Sequence, residues 1–161
     1  MILYHGSLER IETPEIRVPN RTLDYGAGFY ATTSFEQAEE WVRRRMREAF
    51  ANKGYVYEYS LNTESLEHLN SLSFESPTEE WLDFVMRNRT ERGFTHDYDV
   101  VYGPVANDKV YAAFALYEGG LLSKQNLIAE LKTYKLVDQY LFHTPKALEA
   151  ISFIKAKTIL L

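Results

Sequence analysis

Tyr25-Gly26-Ala27-Gly28-Phe29-Tyr30 sets two glycines on alternate positions ahead of a pair of aromatics, and Ala31-Thr32 then leads to Ser34. Ser34 with Gln37 makes a capping box, and Ala38, Trp41, Val42 and Met46 follow at helical spacing as far as Ala49. A dinucleotide fingerprint of the Gly-x-Gly-x-x-Gly kind needs a third glycine and a helix that opens at the glycines. Both are missing here, so a Rossmann site is rejected. What remains is a glycine turn, a short strand and a capped helix, and on the residues alone its aromatics also read as core.

Outward from this stretch the chain alternates strands and helices without internal repeats. Ile2–His5 is a short apolar run that opens as a buried strand, and Gly6–Asp24, with Pro14 and Pro19, reads as loop with a short strand at Ile16–Val18. Tyr55–Leu61 alternates aromatic and polar side chains like a half-buried strand. Ser76-Pro77-Thr78-Glu79 is a second capping box with proline at the first helical position, and Trp81, Phe84 and Val85 mark the buried face of a helix to about Arg89. Tyr98–Gly103 is a strand, and Asn107 caps a helix that Gly119-Gly120 stops. Leu122–Tyr134 is a helix capped by Ser123, and Leu136–His143 is a strand of strong β-propensity. Thr144-Pro145 starts a last helix, and Thr158–Leu161 is a short apolar tail. The expected class is α+β, in a single domain spanning 1–161.

Bulk properties agree with that size, since 161 residues suffice for one ordinary domain. An apolar share of 45% and a charged share of 25% exclude a disordered or collagen-like chain. Net charge of −5 repels phosphate backbones on average, so nucleic-acid binding would need a local basic patch. With no cysteine there are no disulfides and no thiolate chemistry. Met1-Ile2-Leu3-Tyr4-His5 has no basic n-region, and no apolar run is long enough to cross a bilayer. The expectation is a cytoplasmic protein that does not engage a membrane.

Two further segments carry polar residues in unusual settings. Tyr4-His5-Gly6-Ser7 runs from a strand into a Gly-Ser turn, where a flat ligand could approach the backbone closely. Asp138-Gln139-Tyr140-Leu141-Phe142 is a strand near the end with a polar start. Together with Tyr25–Tyr30 these segments resemble the His-Tyr-Glu class of ADP-ribosyltransferases, with glutamine in place of glutamate. Nearly the whole chain also resembles an uncharacterised bacterial family grouped with that superfamily. Its shared features are the His-Gly-Ser start, Gly26-Ala27-Gly28-Phe29-Tyr30, Glu80-Trp81-Leu82-Asp83-Phe84-Val85, Gly103-Pro104-Val105-Ala106-Asn107-Asp108 and the closing glutamine strand.

The resemblance implies two small antiparallel sheets that split apart, with helices around them and NAD as co-substrate between the sheets. It assigns the nicotinamide carboxamide to the Gly6 backbone and the Ser7 hydroxyl, and the adenosine ribose to His5. Tyr30, reached through Gly28, packs on the nicotinamide ring, and Trp41 on the following helix faces it from the other side. A tryptophan among Ala38, Val42 and Met46 also reads as core. Gln139 falls on the catalytic glutamate: an amide keeps the hydrogen bond to ribose but loses the charge that would stabilise an oxocarbenium-like sugar. His5, Tyr30 and Gln139 are thus the implied catalytic set. The implied activity is mono-ADP-ribosylation of a macromolecular acceptor, protein or nucleic acid, as in toxins paired with an antitoxin protein. NAD glycohydrolase activity and a non-catalytic NAD or ADP-ribose-binding module are the alternatives.

Remaining candidates are secondary. Arg21 could meet the pyrophosphate of a bound dinucleotide, because guanidinium matches phosphate oxygens. Asn107 and Asp108 read first as a helix cap and its acidic neighbour, and second as ligand contacts. Arg43-Arg44-Arg45 with Arg47 reads first as a solvated helix face, and second as a patch that attracts a phosphate-bearing acceptor or an acidic partner. His68, His96 and His143 have no metal-ligand spacing, so no metal is expected.

Overall fold

The computed structural model describes residues 1–17, 23–105, 108–134 and 136–161, the side chains of 108 and 109 apart. The fold is α+β, with two small sheets. In chain order the elements are β1 (Ile2–Ser7), β2 (Phe29–Ala31), α1 (Phe35–Glu48), β3 (Lys53–Leu61), a 3-10 turn (Thr63–His68) and β4 (Ser71–Ser73). They continue with α2 (Glu79–Thr90), β5 (Val100–Pro104), α3 (Asp108–Glu118), α4 (Lys124–Leu131), β6 (Asp138–Phe142), α5 (Pro145–Leu148) and β7 (Ile151–Leu160).

The first sheet, ordered β1-β3-β7, is antiparallel throughout. In the second, ordered β2-β6-β5-β4, the pair β4–β5 runs parallel, so the expectation of two purely antiparallel sheets is corrected. Three residues of β4 suffice for that pairing, because β4 reaches β5 through the whole of α2 and not through a hairpin.

Helix α1 packs on one face of the first sheet. Ser34 accepts a bond from Gln37 N–H as its N-cap, and Ala38, Val42 and Met46 bury their side chains against Val56 and Ile159. Removing a valine or methionine side chain from water is worth about 2 kcal/mol. Such close approach requires glycine beneath the helix: a Cβ on Gly6 would stand 2.5 Å from Val42 Cγ2 and 2.8 Å from the Ala38 carbonyl. The opposite face of β3 carries Tyr57, Tyr59 and Leu61, which pack with Phe29, Tyr140 and Phe142 of the second sheet. Behind that sheet, α2, α3 and α4 close a second core around Trp81, Leu82, Val110, Phe114 and Leu127.

Three local expectations change. Helix α2 is capped by Thr78, whose side chain accepts from Trp81 N–H, and so starts two residues later than a Ser76 cap would place it. The helix after Thr144 is a single turn, and Ile151–Leu160 forms the edge strand β7 where a helix and tail were expected. Its mostly exposed pattern hides the period-2 signal by which a half-buried strand is read. Ile16 and Arg17 form no strand, and Val18 lies outside the described residues.

Candidate functional site

Among the described residues the backbones of the two sheets pair at one isolated bridge. Tyr4 and Thr32 exchange both backbone bonds, N–H to carbonyl, at 2.7 and 2.9 Å. Past this pair the ladder stops, and the His5 ring fills the gap by donating from Nδ1 to the Tyr30 carbonyl at 2.6 Å. A cleft of about 660 Å³ opens beyond this bridge, within the size range of cofactor pockets. Backbone groups alternate sides along an antiparallel strand. Because those of Tyr4 face β2, those of Gly6 lie on the same edge of β1 and border the cleft.

Into this one cleft the structure brings His5, Gly6, Ser7, Gly28, Tyr30, Trp41 and Gln139, residues from four separate elements and a turn. Arg21, Asn107 and the Asp108 side chain lie outside the described residues.

The chemistry of each group follows from its neighbours. A carbonyl oxygen only accepts, so His5 carries its proton on Nδ1 and leaves Nε2 as an acceptor. Burial pushes the His5 pKa down to about 4, against a smaller upward pull from the Tyr30 carbonyl, and the ring is neutral at pH 7. Ser7 Oγ accepts from Glu9 N–H at 3.0 Å, a bond that leaves its own hydrogen available to donate. The Tyr30 hydroxyl donates to the Gly26 carbonyl and accepts from Tyr25 N–H, and burial holds its pKa well above the usual value. Tyr30 therefore offers a ring face and no proton transfer.

Gly28 adopts φ 149°, and a Cβ there would run into the Phe142 carbonyl and Leu141 Cδ1, so the turn excludes any side chain at this point. Trp41 is half-buried at the cleft wall with the Arg45 guanidinium 5.9 Å from its ring centroid.

Gln139 is the odd member. Only 8% exposed, it keeps Nε2 buried without a hydrogen-bond partner, although it lines the cleft. Its amide lies close enough to favour the ionised Tyr25 hydroxyl, yet that hydroxyl donates to the Pro104 carbonyl and accepts from Trp81 Nε1. An amide hydrogen left unpaired in the interior costs about 1–3 kcal/mol. Buried polar groups are rarely left without a partner, and this singles Gln139 out among the residues that line the cleft.

Several further residues line the cleft beyond the expected set. Arg44 and Arg45 of the basic run line the cleft, which turns part of the expected solvated face inward, while Arg43 turns to Glu39 and the Leu160 carbonyl. Arg45 is held by Glu48 at 2.6 Å and Arg17 by Glu9 at 2.9 Å. Buried Asp24 lines the cleft and pairs with Arg89 at 3.3 Å. Asp138 also borders it, but Thr33 N–H, Thr33 Oγ1 and Thr32 Oγ1 all donate to its carboxylate. No motif spacing announces these residues; only the arginine run carried a signal.

Among the described residues no group of three or more His, Asp or Glu could hold a metal, and no helix is long and apolar enough to cross a membrane. No curated protein and no solved structure matches the chain. A family model described as protein of unknown function (DUF3990) matches residues 1–153, and the chain belongs to that family.

Proposed function

We propose that the cleft binds NAD and that the protein transfers its ADP-ribose to a macromolecular acceptor with release of nicotinamide. The observation that carries this reading is the unpaired, buried Nε2 of Gln139 in the same cleft as a neutral His5, the Gly6 strand edge and the Tyr30 and Trp41 rings. A planar cationic ring between two aromatic faces gains about 1–2 kcal/mol per face when water is excluded. Gly6 and Ser7 supply the backbone and hydroxyl groups that bond a carboxamide, and His5 Nε2 accepts from a ribose hydroxyl. Gln139 donates to a hydroxyl oxygen of the other ribose.

In the reaction the C–N bond from ribose to nicotinamide breaks, and its electron pair leaves with nicotinamide. The acceptor's nucleophilic atom bonds the same ribose carbon, and its proton passes to solvent. Gln139 orients the sugar without a charge to stabilise the cation, so turnover is slow. Labelled NAD incubated with whole-cell extract should leave label on material that protease or nuclease removes. Gln139→Glu, which restores the charge, should raise turnover by at least about tenfold, since one electrostatic partner is worth about 3 kcal/mol at such a site.

A second reading has its own support: the residue at the catalytic position is an amide, which suits a non-catalytic NAD or ADP-ribose-binding module. That reading stands if purified protein binds NAD in calorimetry while neither wild type nor Gln139→Glu releases nicotinamide.

A further inference from the structure

The turn that leads into Tyr30 is held mainly through side chains among the described residues. Among the described residues the main-chain bond within Leu23–Gly28, from Gly26 N–H to the Leu23 carbonyl, is long at 3.3 Å. Three successive carbonyls are instead held by side chains. His96 Nε2 donates to the Tyr25 carbonyl at 2.7 Å, the Tyr30 hydroxyl to that of Gly26, and His143 Nδ1 to that of Ala27 at 2.6 Å. The two imidazoles come from distant parts of the chain, yet their ring centroids are 4.2 Å apart.

We propose that His96 and His143 are positioning residues for the nucleotide cleft, a paired clamp on the turn that aims the Tyr30 ring. The inference rests on the NAD reading for the identity of the ligand, but the clamp itself is a property of the ligand-free protein. His96 is its acid-sensitive half. Its Nε2 must carry a proton to reach the Tyr25 carbonyl, and its Nδ1 accepts from Tyr98 N–H at 3.2 Å. A second proton on Nδ1 would set donor against donor and place a cation against the neighbouring His143 ring.

The surroundings oppose that proton on balance. Burial, chiefly, and His143 lower the His96 pKa, while the Tyr25 carbonyl and Asp97 favour the charged form. Phe84 and Tyr98 contribute neutral rings to the rest of its packing. On the His143 side, Asp99 is the nearby carboxylate, and it is engaged by Thr144 Oγ1 and Asn70 N–H. Protonation of His96 thus requires the ring to leave its place. The grip on the Tyr25 carbonyl is lost, and with it the alignment of the Gly26 peptide that holds Tyr30.

The test uses the full chain with NAD as probe, together with amide exchange of Gly26, Ala27 and Gly28 in ligand-free protein. Lowering pH from about 7.5 to about 5.5 crosses the ordinary histidine value, at which a ring released from the turn takes up its proton and is held out of place. Over that interval the wild type should lose protection at these amides and bind NAD about tenfold more weakly. His96→Gln keeps a neutral N–H donor, so it should match wild type at the higher pH and show no such weakening at the lower. His143→Asn should likewise retain binding, and His96→Ala should weaken it about tenfold at both pH values. Should His96→Ala fail to fold, the wild-type and His96→Gln profiles decide alone.

Unchanged amide protection in wild type across this range, or an acid response in His96→Gln equal to that of wild type, overturns the proposal. Absence of NAD binding in wild type at the higher pH would defeat the nucleotide reading instead. The exchange data would then still uphold or overturn the clamp.

Discussion

The two walls of the cleft are built by opposite means. One wall is β1 under α1: its backbone is paired to β3 over six residues, and the helix lies so close that Gly6 admits no side chain. The other is β2 with the turn that leads into it, a turn whose carbonyls at Tyr25, Gly26 and Ala27 depend on His96, Tyr30 and His143, and whose rear is the buried Tyr25–Trp81 pair. Regular pairing makes the first wall stiff at the cost of close steric tolerance. Side-chain support makes the second adjustable and exposes it to titration and to changes far away in the chain.

The largest expected effect falls on the second wall. Trp81→Ala removes a fully buried indole and leaves the Tyr25 hydroxyl without its donor. It should cost about 3–5 kcal/mol in urea unfolding and weaken NAD binding as well. Unaltered NAD affinity in a folded Trp81→Ala protein would show that the turn does not lean on this core.

Acid tests the junction between the walls. His5 titrates at about 4 in the fold against an ordinary value of 6.5, so between these values the unfolded chain binds more protons. Its contribution is complete above pH 6.5 and lost as pH falls toward 4, about 3 kcal/mol in all at 1.4 kcal/mol per unit. His5→Asn, which keeps a donor but does not titrate, should flatten that part of the stability profile measured by denaturant.

Gly6→Ala probes the first wall. Its Cβ would meet Val42 Cγ2 and the Ala38 carbonyl, and only the valine can yield, so a loss of about 1–3 kcal/mol is expected. A thermal melt that shows no change would mean that α1 lifts from β1 at little cost. The smallest effect on stability is Tyr30→Phe, which removes the bonds to the Gly26 carbonyl and the Tyr25 N–H and keeps the ring. It should cost about 1 kcal/mol in stability and weaken NAD binding by no more than the about tenfold expected of His96→Ala, since both changes release the Tyr30 ring from the Gly26 peptide.

The same contrast explains what could be read in advance. Ser34, Gln37 and the Ala38, Trp41, Val42, Met46 spacing foretold α1 almost to its ends, because capping and helical period are set by residues a few positions apart. Alternation in β3 was legible for the same reason: its two faces meet different cores. β7 escaped because an exposed edge strand buries too little to impose a pattern, and the Ser76 cap was displaced by Thr78, a competing hydroxyl two residues on. At the site, the His5-Gly6-Ser7, Tyr30, Trp41 and Gln139 segments were marked in the chain by resemblance, and the fold brings them to one cleft. His96, His143, Asp24 and Arg17 were not marked, since nothing near them in sequence distinguishes them from ordinary loop residues.

Residue order alone therefore specified the α+β class, the segments worth watching and helix starts such as that of α1, all of which depend on local spacing and side-chain type. Only the tertiary structure decided that the ladder between the sheets ends at Tyr4 and Thr32, and that Gln139 Nε2 is left unpaired. It alone set two histidines 47 positions apart, at 96 and 143, onto one turn. Hydrogen-bond satisfaction and burial are properties of groups brought together across the whole chain, and no window of neighbouring residues contains them.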